Sequence, residues 1–466
     1  MPKIVFLWTD VALFLLLLAI AGYAWHVRRT PNLRATWARV ARDTPAMCAA
    51  VVLGVFVAIG VLDSMHYRPL LKSVQVNGEK SARAYAPVTR SVLDALLEKP
   101  MAGREKTYSA PLAVRQFTKE SMLVNGNPVR DYPRLRHGGA HLTDPDAQWP
   151  ADVLRRTAAG VVAGALLAGA VALLVAAALA HRGGRSFPAV WHDIVRRRTR
   201  VPLGPMLLTF GVIAVLAGAA VSLSTGYHVM GTDSTGNDVL VQTVKSFRTA
   251  LVIGSLTTLA TLPFALSLGI MAGYFKGWVD DVIQYVYTTL TSIPGVLLIA
   301  ACVLMVQVFI DNNPDLFETG AERADLRLFL LCIILGVTGW AGLCRLLRAE
   351  TLKLRELDYV LAARALGASD PKIMLRYIWP GVVGNLIVYA SLRASSALIT
   401  ESSLAFLGLG AQPPAPSWGQ MLSTAMQYWD AWWMSIFPGM AIFLSVLALN
   451  FVGDGLRDAL DARLAD

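Results

Sequence analysis

Residues 358–380 read Asp358-Tyr-Val-Leu-Ala-Ala-Arg-Ala-Leu-Gly367-Ala-Ser-Asp370-Pro371-Lys-Ile-Met-Leu-Arg-Tyr-Ile-Trp-Pro380. Tyr359 to Leu366 is a run of good helix formers with an Ala-rich face. Gly367 suits the left-handed residue that ends a helix. Asp370 is expected to cap a second helix with Pro371 in its first position, and Pro380 leads towards the next apolar run. The stretch therefore reads as a short helix, a sharp turn and another helix. Taken alone, it is equally well an ordinary connection between two membrane spans.

Both sides of the stretch are apolar. Leu328–Leu347 precedes it and Val382–Leu409 follows, each of about 20 apolar residues or more, enough to cross a bilayer. Further out lie Ile4–Ala24, Ala46–Leu62, Ala158–Ala180, Leu203–Leu223, Ala250–Tyr274, Val282–Ile310 and Trp432–Val452. The expected fold is all-α, a polytopic transmembrane helix bundle of about nine spans. Composition agrees: 55% of the 466 residues are hydrophobic and 16% charged, too little polar surface for a protein in water. The formal net charge of +10 fits Lys and Arg held in loops that resist translocation, without any nucleic acid.

The first run could pass for a signal peptide, since Gly22-Tyr23-Ala24 weakly resembles a cleavage site. Its n-region offers only Lys3, and Arg28, Arg29, Arg34, Arg39 and Arg42 follow. We therefore expect a retained helix with the N-terminus outside. Asp63 to about Pro150 is polar and mixed in charge, and reads as a periplasmic insert, because loops this long translocate regardless of charge. Arg182, Arg185, Arg196, Arg197, Arg198 and Arg200 place the loop after the third span inside. The C-terminus follows inside, near Arg457 and Arg463. Ala and Gly in the third span allow close helix approach.

The 358–380 stretch resembles the EAA loop of binding-protein-dependent ABC importers, in the dipeptide and oligopeptide branch. Ala362, Ala363, Gly367 and Pro380 occupy the motif positions, within a string from Tyr359 to Ser369 that is typical of that branch. The motif's glutamate is Leu361 here, with Asp358 one turn away. Further pieces match in order: His228-x-x-Gly231-Thr232-Asp233-x-x-Gly236-x-Asp238, Gly277-Trp278-Val279-Asp280, Ile293-Pro294, Gly408-Leu-Gly-Ala-Gln412-Pro413-Pro414-x-Pro416-x-Trp418-Gly419, Phe437-Pro438-Gly439 and Gly453-Asp454-Gly455-Leu456-Arg457-Asp458. The later pieces are similar to the C-type permease subunit. Val229 and Asn237 stand where the family usually has Pro and Arg.

The resemblance implies a six-span type I importer core at 203–466, with its motif-bearing region at about 245–455. Residues 1–202 are then an N-terminal three-span extension carrying the insert at about 63–150. It implies a bacterial inner-membrane permease moving peptides or similar small solutes. The partners would be a second permease subunit, ABC ATPase subunits and a periplasmic substrate-binding protein. Asp358, Ala362, Ala363, Arg364, Gly367 and Pro380 would form the ATPase-docking loop. ATP would be bound by the partner ATPase, with no cofactor in this chain.

Other residues speak to function less directly. Glu401 sits inside the eighth expected span, with Arg393 about 12 Å of helix rise before it, too far for a direct pair. Ionisable groups at this depth face a bundle interior or a water-filled cavity. Lining a translocation path and a structural role both stay open for them. Asp233 and Asp238 beside His228 read as a turn with Asp caps rather than a metal or acid–base site. Cys48, Cys302, Cys332 and Cys344 lack metal-like spacing and read as small apolar residues. The chain has no Gly-x-x-x-x-Gly-Lys-Ser/Thr loop for phosphates. An enzyme in the insert would need a nucleophile motif, which is absent, so no catalytic residue is assigned. An ion-coupled secondary transporter acting alone is the alternative, but it calls for midplane charges and repeated broken helices.

Overall fold

The computed structural model describes residues 2–70, 85–124, 127–411, 413 and 415–460; Gln412, Pro414 and Arg463 lie outside them. From the N-terminus the elements are β1 (Lys3–Ile4), α1 (Trp8–Arg29), α2 (Pro31–Val40), α3 (Thr44–Asp63), β2 (His66–Arg68), β3 (Arg90–Ser91), α4 (Val92–Leu96), α5 (Glu98–Ala102), β4 (Glu120–Val124), β5 (Asn127–Asp131), α6 (Pro145–Gly183), α7 (Phe187–Val195) and α8 (Leu203–Ser224). They continue as α9 (Val239–Phe275), α10 (Gly277–Ser292), α11 (Gly295–Asn312), α12 (Gly320–Thr338), α13 (Ala341–Leu354), α14 (Asp358–Ala365), α15 (Asp370–Ile373), α16 (Trp379–Phe406), α17 (Trp418–Ala425) and α18 (Trp433–Leu460).

Among the described residues, seven helices are long and apolar enough to cross a membrane: α1, α3, α6, α8, α9, α11 and α18. Two bent pairs, α12 with α13 at 42° and Asp370–Gly384 with Leu386–Phe406, bring the number to nine if each is one span. The all-α polytopic bundle is the observed architecture. The expected span Val282–Ile310 is not one helix, however. Ile293 is extended (φ −82°, ψ 131°), and Pro294, which has no N–H to continue the ladder, starts a new helix. Only α11 has the composition of a span.

The chain forms two compact units: Met1–Ile4, Trp37–Arg248 and Pro416–Ala448 in one, Val5–Thr36, Thr249–Ala415 and Leu449–Asp466 in the other. Neither follows the boundary at residues 202/203. The first span joins the second unit because Thr9 donates its backbone N–H to Asp325 of α12 at 3.0 Å, and its hydroxyl bonds the same carboxylate.

In the first unit, α6 and α8 meet through glycine. A Cβ on Gly160 would lie 2.4 Å from the Gly218 carbonyl oxygen, one on Gly218 equally close to the Gly160 oxygen, and one on Gly164 2.4 Å from the Ala214 oxygen. Gly160-x-x-x-Gly164 thus gives backbone-to-backbone packing, where dispersion rather than hydrophobicity holds helices in lipid.

The few strands lie in the insert, apart from β1 near the N-terminus. β1 pairs antiparallel with β2 (Lys3↔Arg68), and β2 with β3 (His66↔Ser91), so the N-terminus lies on the insert's side. β4 and β5 form a hairpin (Glu120↔Asp131). A capping box starts α4: Asp94 N–H donates to Ser91 Oγ at 3.0 Å and Ser91 N–H to the Asp94 carboxylate at 2.9 Å, satisfying two orphan donors. Lys245 of α9 donates to Asp94 at 2.6 Å, tying the insert to the helix that follows the His228 loop.

The second unit has one core of Leu266, Tyr274, Ile283, Tyr287, Leu343, Leu347, Val360, Ile373 and Ile378. A second core gathers Ile253, Leu328, Leu331, Cys332, Ala397 and Leu404.

Candidate functional site: the coupling loop and the His228 loop

The 358–380 stretch folds as helix, turn and helix. α14 ends at Gly367, whose φ of +77° is open to glycine without the Cβ penalty. Val360 (2% exposed) and Ala363 (6%) face the core of their own unit. Tyr359, Leu361, Ala362, Arg364 and Leu366 are on the outer side, with Leu366 87% exposed. Asp358, Gly367 and Pro380 are also exposed. Ala363 therefore seats the loop rather than facing outward with Ala362 and Arg364.

One local expectation is corrected. Ser369, not Asp370, is the N-cap of α15, and Pro371 is its second residue. The Asp370 carboxylate instead accepts the Tyr274 hydroxyl at the end of α9. Pro380 lies in the first turn of α16, directly after a π-helical turn, Met374–Ile378, in a helical run unbroken from Asp370. The widened turn sits where the proline ring and its missing N–H would disturb a regular ladder.

The loop's back is fastened by charge. Arg348 of α13 grips Asp280 of α10 with two hydrogen bonds of 2.6 Å, a bidentate fork with both energy and orientation. Lys276 pairs with Glu356 at 3.2 Å. Arg355 donates to the Tyr274 carbonyl. The end of α9 and the start of α10 thus move with the loop as one piece of packed structure.

The His228–Asp238 loop is built as Asp caps. Asp238 accepts the Leu240 and Val241 N–H groups at 2.8 and 3.2 Å, at the start of α9. Asp233 accepts the Thr235 and Asn237 N–H groups at 2.8 and 2.9 Å. The insert closes over this loop. The Glu105 and Leu112 N–H groups donate to the Gly236 and His228 carbonyls, and Thr232 N–H donates to the Ser109 carbonyl. A Cβ on Gly236 would lie 1.9 Å from the Glu105 carbonyl oxygen, so the close approach and the φ of +77° both demand glycine.

At the centre is a buried charge triad. His228 (0% exposed) donates from Nδ1 to Asp238 at 2.7 Å, and its Nε2 lies 3.5 Å from Glu105 Oε1. Burial opposes the imidazolium, but the two carboxylates outweigh it and raise its pKa to about 9. Burial likewise works to raise Glu105; His228 and the N–H groups of Arg136, His137 and Gly138 outweigh it and hold the carboxyl at about 2. The arrangement is a fastening, one cation held between two carboxylates, by a hydrogen bond to Asp238 and by charge to Glu105.

Glu401 is 4% exposed, on the same buried face of α16 as Ala397 and Leu404. Arg393 donates to the Leu335 carbonyl at 3.1 Å, capping the end of α12 over Gly339, whose lack of a side chain makes room for the guanidinium. The two residues are not brought together. Sequence reasoning missed Glu105, Tyr274, Lys245 and the Asp280–Arg348 fork. Of these only Lys245 carried a signal, as a cation in the first turns of an otherwise apolar helix.

The profile of the family described as binding-protein-dependent transport system inner membrane component matches residues 265–466. The glutathione transport system permease protein GsiD of Pectobacterium atrosepticum is 38% identical over 238 residues, 51% of this chain and 73% of that one. The oligopeptide transport system permease protein OppC of Haemophilus influenzae is 36% identical over 239 residues, 51% and 71%. The dipeptide transport system permease protein DppC of Alkalihalophilus pseudofirmus is 34% identical over 238 residues, 51% and 72%. With its coupling loop, its His228–Asp238 loop and relatives matched over more than two thirds of their length, the chain belongs to the binding-protein-dependent transport system inner membrane component family.

Proposed function

We propose that the chain is a permease subunit of an ATP-driven ABC importer, carrying peptides or similar small solutes across the bacterial inner membrane. Its 358–380 loop docks a separate ATPase. The observation that carries this reading is the outer side of α14: Tyr359, Leu361 and Leu366 are large, apolar and exposed, while the opposite side is seated in the core. Such a patch on a fixed element suits a partner surface. Leu361 makes the docking face more apolar than the family's glutamate would. Asp358, Ala362, Arg364 and Gly367 lie on this surface; Pro380 sets the start of α16.

The assembly we infer has a second permease subunit, ATPase subunits that bind ATP, and a periplasmic binding protein. The peptide assignment is supported by relatives named for glutathione, oligopeptide and dipeptide transport. We place the N-terminus and the insert outside and the coupling loop and C-terminus inside, because Arg-rich segments flank α2 and α7. Relatives that are permeases of transport systems favour this over an ion-coupled transporter acting alone and over an enzyme.

Co-purification in detergent tests the reading. The tagged chain should carry an ATPase and a second permease, and peptide-loaded binding protein should stimulate ATP hydrolysis. Transport by the purified chain with no ATPase present would sink it.

A further inference from the structure

α10 presents three distinct sectors at 100° per residue. One is buried: Asp280, Ile283 and Tyr287 are each no more than 7% exposed and pack with α13 and the coupling loop. A second is apolar and exposed, Val282 and Val286, with Trp278 on its border beside Tyr285 and Thr289. The third is polar: Asp281, Gln284, Tyr285, Thr288, Thr289 and Ser292, at helical spacings of three and four. These six residues line one side of an open surface groove of about 420 Å³.

Lipid suits the second sector and not the third. Ser292 already donates to the Thr289 carbonyl at 2.7 Å and Gln284 bonds Asp280. The Asp281 carboxylate and the Tyr285, Thr288 and Thr289 hydroxyls facing acyl chains, however, would be left without hydrogen bonds, at several kcal/mol each by order of magnitude. Among the described residues Asp281 is engaged by no hydrogen bond or ion pair. Water must therefore reach this sector in a membrane-embedded unit.

We propose that this stripe lines the hydrated route of the transported solute, and that Asp281 attracts a cationic amine on it. The proposal rests on the permease reading and names the site within it. Thr, Ser, Gln and Tyr side chains both donate and accept, as the peptide unit requires. A single carboxylate at one end matches a free amino group. The Asp280–Arg348 fork lies on the sector next to the stripe, where Gln284 bonds Asp280, so rotation of α10 at the fork would turn the stripe.

The test uses the assembled transporter in nanodiscs, with Cys48 and Cys302 replaced by Ala and the buried Cys332 and Cys344 kept. Single cysteines are placed on the stripe (Thr288→Cys, Ser292→Cys) and on the apolar sector (Val286→Cys). The probe is a water-soluble trimethylammonium methanethiosulfonate, compared with a neutral analogue. Because only a hydrated thiol ionises readily, the stripe positions should react more than about tenfold faster than Val286→Cys. Asp281 is about 10 Å of helix rise from Thr288, so Asp281→Asn should slow the cationic reagent relative to the neutral one by about two- to tenfold.

Equal reactivity of all three cysteines overturns the proposal. So does disulfide formation with the second permease chain when the reagent is excluded, which would make the stripe a sealed subunit seam. An unchanged cation-to-neutral ratio in Asp281→Asn overturns the amine assignment. If no ATPase accompanies the wild-type chain, the permease reading fails separately, since the labelling pattern is read whether or not it does.

Discussion

Replacing His228 with Gln removes the one cation between Glu105 and Asp238. The rise of its pKa from 6.5 to about 9, at roughly 1.4 kcal/mol per unit, makes the charged form worth about 3 kcal/mol. Loss of one partner from a buried ion pair costs a similar amount, ~3–5 kcal/mol. The low pKa of Glu105 reports the same contacts and is not added, because the groups titrate as a set. The pH dependence has a definite sign. His228 has a raised pKa, so its contribution is complete below about 6.5 and is lost as pH climbs through about 9. Glu105, depressed from 4.5 to about 2, contributes above about 4.5 and loses that as pH falls towards 2. The fastening is therefore strongest between about pH 4.5 and 6.5. The reporters are the Glu105, Leu112 and Thr232 N–H groups that join insert and loop, followed by hydrogen exchange and mass spectrometry in nanodiscs. In His228→Gln at pH 6 they should exchange about a hundredfold faster, the equivalent of ~3 kcal/mol. The wild-type protein should show the same loosening above about pH 9, after correction for intrinsic rates. The double variant Glu105→Gln/His228→Gln should recover part of the loss. Exchange within about threefold of wild type at all three amides would refute the reasoning.

Other substitutions probe the membrane packing and the coupling loop. Gly160→Leu would drive a side chain into the Gly218 carbonyl and force α6 from α8; thermal melting in detergent should fall by an equivalent of about 2 kcal/mol or more, and an unchanged melt would remove the backbone-contact account. Arg348→Ala leaves the buried Asp280 without its fork and should lower stability by ~3–5 kcal/mol, with Arg348→Ala/Asp280→Asn recovering much of it; equal melting of the two variants would contradict this. Gly367→Val places a β-branched residue at φ +77°, and Ala363→Leu overfills a site 6% exposed. Both should abolish uptake and ATPase co-purification while the protein still inserts in the membrane, and normal uptake would discredit the docking assignment.

What the sequence made legible follows from the range of the forces involved. Span positions could be read because lipid demands about 20 apolar residues whatever the tertiary contacts are. Gly367 could be read because a helix stop is local. Asp370 could not: Ser369 takes the N-cap position without a side-chain cap hydrogen bond, and the Asp370 carboxylate is engaged instead by Tyr274, 96 residues away. Glu105 was equally invisible, since nothing near it in the chain requires His228. Val282–Ile310 shows a different failure. Its apolar count passed the length rule, yet Pro294 and the recurring polar positions from Asp281 to Ser292 were both in view. A window average hides both the break at Pro294, which leaves α10 with 16 residues, too few for a span, and the polar positions that recur along one side of it.

The same reasoning bears on the extension. Had it been an independent module, its polar contacts would close among themselves. Instead Thr9 bonds Asp325 in the family-matched region, Lys245 bonds Asp94, and Glu105 meets His228. Each pair crosses the 202/203 boundary and each includes a buried carboxylate, which is costly to leave unpaired. Removing residues 1–202 would strip Asp325 and His228 of these partners and α8 of the Gly160 seam. Truncation to the length of the relatives should therefore yield an unstable protein, not a minimal permease. A stable, ATPase-binding 203–466 fragment would show that these pairings are dispensable.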